Sequence, residues 1–232
     1  MSKNDLAEVT GNASTASILR GVSSSFTTAP GAGVNCFAFE SQDNGTGVVA
    51  RYFTMSGCNP TPKGAQISAA LQRGPSAGLT SFAVFLFASL TNPNAEGVAY
   101  ILGLGDSDPS HIVLRKGDLA SGLPDLAPGT QGVLARSTAT YPAETWYHLR
   151  LEVILNASGE VVVNGYANDL TANTVSSPVW LPIPGLTSVI DDPLGVTSGS
   201  VPLTAGRMGF GFHSSDVARV GLVDYVVPLA QA

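Results

Sequence analysis

Residues 146–168, WYHLRLEVILNASGEVVVNGYAN, carry two strand patterns and the turn between them. Tyr147, Leu149, Leu151, Val153 and Leu155 alternate with His148, Arg150 and Glu152, the period of two of a strand with one face buried. Ala157, Ser158 and Gly159 interrupt that pattern as a turn. Glu160 to Asn168 then resumes with Val161, Val162 and Val163, whose β-branched side chains suit a pleated sheet. The segment reads as an antiparallel hairpin.

The rest of the chain agrees with an all-β domain. Its 232 residues include 26 Gly and 15 Pro, which leave few uninterrupted windows for a helix of ordinary length. Strands are expected at Val34–Glu40, Val48–Met55, Ala65–Arg73, Thr80–Ser89, Gly97–Leu104 and His111–Lys116, with short ones at Val179–Ile183 and Thr187–Ile190. Asn44-Gly45 has the form of a tight hairpin turn, which would pair the strands on either side of it and set Cys36 near Arg51. Gly117–Ala143 and Thr171–Thr204 read as long irregular segments, the kind that often carries function or faces an assembly. Residues 1–20 are small and polar and are expected to form an N-terminal arm. Residues 21–232 would then be a single sandwich domain.

Charge narrows the partners. A net charge of −6 with only 11 Lys plus Arg argues against a grip on phosphate backbones, so no nucleic acid is expected. No apolar run approaches the roughly 18 residues that span a bilayer, and no membrane insertion is expected. The first 21 residues lack the apolar core of a secretion signal. Cys36 and Cys58 are too few for a disulfide framework and are expected as free thiols. In TSFAVFLFAS, residues 80–89, both faces are apolar: Phe82, Val84 and Leu86 on one, Phe85 and Phe87 on the other. Both faces need cover, one from the opposite sheet and the other from a loop, as over an ordinary central strand, or from a neighbouring subunit.

Three segments carry a resemblance: ETWYHLRLEV, GEVVVNGYANDL and AGRMGFGFHSSDVARVGLVDYVVPLAQA. With Trp146, Leu149, Leu151, Gly159, Val161, Gly206, Gly209, Phe210, Gly211, Val223, Asp224, Tyr225 and Val227 as matching positions, roughly residues 80–228 resemble the laminin G, pentraxin and concanavalin A-like lectin/glucanase group. The resemblance implies a two-sheet antiparallel jelly roll sandwich. It implies little about activity, because one fold hosts many functions.

Within the closing strand, Gly209 and Gly211 alternate with Met208, Phe210 and Phe212, which gives one bulky face and one bare face. The bare face suits either sheet curvature or a ligand. Family 16 glycoside hydrolases on this fold carry Glu-x-Asp-x-x-Glu, and no glutamate here has an Asp two residues later. No Gly-x-Ser-x-Gly elbow is present, and His111, His148 and His213 lie apart, each expected at a surface or strand end. No catalytic residue is therefore assigned. The candidate ligand-binding residues are Trp180, Asp191, Asp192 and His213. No cofactor is expected; calcium is the cation that the loop carboxylates Asp191, Asp192, Asp106, Asp108 and Asp216 would suit, and the metal question stays open.

The expected function is that of a non-enzymatic virion protein, a phage head or tail decoration or fibre module with a lectin-like fold. Its partners would be other virion proteins or further copies of itself, together with a cell-surface glycan. It would be made in the host cytoplasm. The alternatives are a free carbohydrate-binding lectin and a polysaccharide hydrolase with a non-standard site.

Overall fold

A computed structural model describes residues 6–11, 16–20, 37–41, 49–55, 63–73, 80–88, 98–107, 109–118, 121–191, 201–214 and 220–229, with side chains at 64–72, 98–107, 109–118, 121–191 and 201–211. The first eight strands are β1 (Leu6–Gly11), β2 (Ala16–Arg20), β3 (Phe37–Ser41), β4 (Val49–Met55), β5 (Lys63–Arg73), β6 (Thr80–Ala88), β7 (Val98–Leu104) and β8 (Ser110–Asp118). The remainder are β9 (Val133–Tyr141), β10 (Trp146–Leu155), β11 (Val161–Asn168), β12 (Trp180–Pro182), β13 (Val189–Ile190), β14 (Arg207–Ser214) and β15 (Val220–Leu229). They form a seven-stranded sheet, β1-β4-β14-β6-β7-β8-β9, and an eight-stranded sheet, β12-β11-β10-β5-β15-β3-β2 with β13 added to β11. All pairings are antiparallel, and the fold is the all-β two-sheet sandwich expected.

The hairpin that opens the argument is β10–β11. Leu149 pairs with Ala167, Leu151 with Gly165 and Val153 with Val163, so the inward faces of both strands coincide. Asn156 builds the turn: its Oδ1 accepts from the backbone N–H of Ser158 and Glu160, and Gly159 takes φ +78°, a left-handed conformation glycine adopts without penalty. Leu149, Leu151 and Val153 are fully buried against Ile67, Ala69 and Leu71 of β5 and, across the sandwich, Leu102, Leu104, Ile112 and Leu114 of the other sheet. Met208 and Phe210 complete that core from β14. Gly209 and Gly211, on the opposite face of β14, are buried too.

Three expectations are revised. The strands flanking Asn44-Gly45 do not pair: β3 lies in the eight-stranded sheet beside β15 and β2, and β4 in the seven-stranded sheet beside β1 and β14. A turn signal does not choose the partners of the strands it separates, and here those strands lie in different layers. Arg51 accordingly sits opposite Gly11 and Phe212, while Cys36 and Cys58 lie outside the described residues. Residues 1–20, expected as an arm, contribute β1 to the edge of one sheet and β2 to the edge of the other. Segment 117–143, read as irregular throughout, contains β9, an edge strand whose outer end, Thr138–Thr140, is exposed. By contrast, β6 is paired on both sides by β14 and β7, the central strand that its doubly apolar sequence was read as.

Candidate functional site

The outer face of the eight-stranded sheet concentrates polar and aromatic groups. Alternation that turns Leu149, Leu151 and Val153 inward turns His148, Arg150 and Glu152 outward, and register aligns them with residues of the same type on neighbouring strands. Trp180 stands opposite Asn168, Asn168 opposite His148, and His148 opposite Ala70. One step along, Tyr166 stands opposite Arg150 and Arg150 opposite Ser68. A third row sets Asn164 opposite Glu152 and Glu152 opposite Gln66.

Glu152 anchors the third row. Its Oε1 accepts from Gln66 Nε2 at 2.8 Å, and its Oε2 accepts from Asn164 Nδ2 and Tyr166 Oη, each at 3.0 Å. Burial, and then the hydrogen bond to Glu152, raise the Tyr166 hydroxyl above the usual tyrosine range. Arg150 is held differently. Its guanidinium carbon lies over the Tyr166 ring, 4.2 Å from the ring centre, and 5.0 Å from that of Trp180, a cation–π contact with each.

The first row is closed over. Trp180 stacks on His148 with ring centres 4.5 Å apart, and His148 is fully buried. Asn168 fixes the local network: its Oδ1 accepts from Val179 N, which leaves Nδ2 to donate to Thr174 O and to face His148 Nδ1 at 3.1 Å. Nδ1 therefore accepts and the ring proton sits on Nε2, an assignment from the network. Burial pushes His148 down to about 4, so it is neutral at physiological pH. His148 was expected at a surface or strand end; β12 and the 169–179 segment put it inside.

The candidate residues separate. Trp180 lies on this face. Asp191 does not: it is fully buried, accepts from Lys116 Nζ at 2.7 Å and from Tyr100 Oη at 2.5 Å, and is enclosed by the core end of the sandwich. Its sequence neighbours Asp192 and Pro193 made it look like a loop ligand, whereas its side chain is a structural counter-ion. Asp192 lies outside the described residues. His213 lies on β14 opposite Ala50 and Ser81, with its side chain outside the description.

Among the other loop acids, Asp106 Oδ1 accepts from Asp125 N at 2.9 Å. Asp125 in turn accepts from Ser107 Oγ at 2.6 Å and from His111 N at 2.8 Å, and meets His111 Nδ1 at 2.9 Å. Burial opposes ionisation of Asp125, but these hydrogen bonds outweigh it and hold the carboxyl below its usual range. The cluster ties the β7–β8 turn to segment 121–132. Asp108 and Asp216 lie outside the described residues. Among the described residues no three His, Cys, Asp or Glu side chains group as metal ligands would.

Sequence reasoning passed over Gln66, Arg150, Glu152, Asn164 and Tyr166 because each reads singly as the wet side of an amphipathic strand. The available signal was that the outward positions Gln66, Arg150, Glu152, Asn164, Tyr166 and Asn168 of three strands carry planar hydrogen-bonding groups rather than lysines or threonines.

Comparison with solved structures bears on the scaffold. The chain superposes on the carbohydrate binding module CBM66 from Bacillus subtilis with a TM-score of 0.52 at 9% identity, over 97% of this chain and 96% of that one. The two share a fold. Looser matches are the exoplasmic/lumenal domain of VIP36 in its Ca2+/Man3GlcNAc-bound form (TM-score 0.48, 9% identity, 100% of this chain and 90% of that) and an alginate lyase Aly36B mutant in complex with alginate tetrasaccharide (0.42, 9%, 98% and 97%). No family model matches the sequence, and neither does any curated protein. The two-sheet antiparallel sandwich implied by the sequence resemblance is thus the observed architecture.

Proposed function

We propose that this protein binds carbohydrate without transforming it, and that the outer face of the eight-stranded sheet at Gln66, Arg150, Glu152, Asn164, Tyr166 and Trp180 is the sugar site. One observation carries the reading: planar donors and acceptors converge beside two aromatic rings on a half-buried sheet face. Sugars present vicinal hydroxyls that planar amide, carboxylate and guanidinium groups meet two at a time, and apolar ring faces that aromatic side chains cover. Glu152 accepts three hydrogen bonds from its neighbours, which suits a fixed acceptor better than a proton-transfer group. The shared fold with CBM66 supports the scaffold for this role.

A glycan array with the wild-type protein and Trp180→Ala tests the site. Saturable binding that weakens at least about tenfold in the variant is expected, on the scale of a lost aromatic contact and its ordered neighbours. Equal binding by both proteins would move the site elsewhere.

For the setting, we propose a virion surface, where the domain would be one of several copies attaching a particle to a host glycan. Support comes from the sequence: only 12% charged residues and a β6 sequence apolar on both faces. Stoichiometric co-purification with particles is the expected result, and a free monomer in infected cells counts against it.

A further inference from the structure

Arg150 is the unusual member of the candidate site. A half-buried guanidinium on a sheet ordinarily pairs with a carboxylate, since removing a charge from water without a counter-ion is unfavourable. Glu152, two residues away on the same face, is the obvious partner, yet both its oxygens are occupied by Gln66, Asn164 and Tyr166. No ion pair to Arg150 occurs among the described residues, and its buried Nε has no hydrogen-bond partner there. What Arg150 meets is aromatic: its guanidinium carbon lies 4.2 Å from the Tyr166 ring centre and 5.0 Å from that of Trp180, and its charge and a hydrogen bond also act on the Tyr166 hydroxyl. A guanidinium set against two rings still has N–H donors beyond the one that engages Tyr166, and its planar fork can meet an oxyanion with two of them.

We propose that the sugar bound here carries a carboxylate, as a uronic acid does, and that Arg150 is the residue that selects it. This rests on the carbohydrate reading of the same face. The net charge of −6 gives the selection a distinctive form. An acidic protein repels a polyanion at long range, so affinity must come from the short-range contact at Arg150 rather than from diffuse attraction. Binding is therefore expected to persist as salt is raised, unlike capture on a basic patch.

Titration calorimetry of the full chain with oligouronate hexamers, the same hexamers reduced at their carboxyl groups to neutral sugars, and neutral hexamers bearing sulfate tests this. The acid form is expected to bind at least about tenfold more tightly than its reduced counterpart, one good charge-assisted contact. Arg150→Gln should bring the two to equal affinity. Arg150→Lys should restore part of the preference, because an ammonium keeps the charge and loses the planar fork. Reduced hexamers that bind as well as the acid form overturn the carboxylate assignment and leave carbohydrate binding standing; sulfated hexamers that bind more tightly than uronates overturn it as well. Silence across all three sugar classes, and across a neutral glycan array, overturns the underlying reading instead. The acid-against-reduced comparison uses the unaltered protein, so it decides the matter even where Arg150→Gln does not fold.

Discussion

Removing the carboxylate of Asp191 should destabilise the fold more than any change on the outer face of the eight-stranded sheet. Lys116 and Asp191 side chains are fully excluded from water, 2.7 Å apart, with Lys116 Nζ also donating to Val201 O at 2.6 Å and Tyr100 Oη donating to the same carboxylate oxygen. Burial, and then that carboxylate, push the Tyr100 hydroxyl far above the tyrosine range, so it stays a donor at any pH the fold survives. Asp191→Ala removes a carboxylate that lies 2.7 Å from a fully buried ammonium. Breaking a buried pair from one side costs about 3–5 kcal/mol, a large part of the roughly 5–15 kcal/mol that holds a domain together. With a urea m value of about 2 kcal/mol/M, the midpoint should fall by about 2 M. Equilibrium unfolding followed by the fluorescence of Trp146 and Trp180 reads it out. Replacing both partners, Lys116→Met with Asp191→Leu, removes the buried ammonium as well and should recover at least half of the loss. Recovery stays incomplete because Tyr100 Oη then lacks its acceptor, although Leu203 N still donates to it. A shift below about 0.5 M for Asp191→Ala would refute the reasoning, since a buried ammonium cannot lose its counter-ion so lightly.

Two further outcomes follow from geometry. His148 titrates at about 4 when folded and near its ordinary value of 6.5 when unfolded, so the unfolded state takes up the proton first as pH falls. Stability should therefore drop by about 2 kcal/mol between pH 7.5 and 5, level off below the folded value, and lose much of this dependence in His148→Asn. Paired urea titrations at the two pH values check it, and a wild-type midpoint unchanged between them counts against a buried neutral imidazole. Gly132 and Gly159 share nearly the same backbone, φ +77° and +78°, but a Cβ at Gly132 would lie 2.1 Å from Lys116 O while one at Gly159 meets nothing within 4 Å. Gly159→Ala should cost about 1–2 kcal/mol for the left-handed conformation alone, and Gly132→Ala clearly more. Equal losses in thermal melts would show that the contact at Lys116 O relaxes freely.

What was legible in the sequence was what is local. The β10–β11 pair announces itself because both strands, their turn and their inward faces lie within 23 consecutive residues. The β3–β4 reversal was equally visible as a turn, but membership of a sheet is settled by partners far away, β15 for one strand and β14 for the other. β9 escaped notice because an edge strand buries only part of its length: Val133, Leu134 and Ala135 face cover, while Thr138 to Thr140 do not. Trp180 could be singled out as a rare large aromatic in a loop-rich stretch. Arg150 could not, since its significance comes from Tyr166 across the strand pair, Trp180 beyond it, and a neighbouring glutamate already occupied. Asp191 shows the reverse error, an acid beside Asp192-Pro193 that reads as a turn residue until Lys116, 75 positions earlier, is placed against it.

Two connections of the β11 region differ in how many layers they hold. Segment 183–186 bonds to β11 through Ile183 N to Gly165 O and Gly165 N to Leu186 O, and to β9 of the other sheet through Thr138 N to Pro184 O. The 156–160 turn bonds only within its own hairpin, and Ala157, Ser158 and Gly159 are exposed. For anyone wishing to graft a tag, a fluorophore or a second domain onto this scaffold, the two are opposites. A graft between Ile183 and Leu186 would unfasten the sandwich along one flank, whereas the tip at Ser158 can carry cargo with the layers left joined.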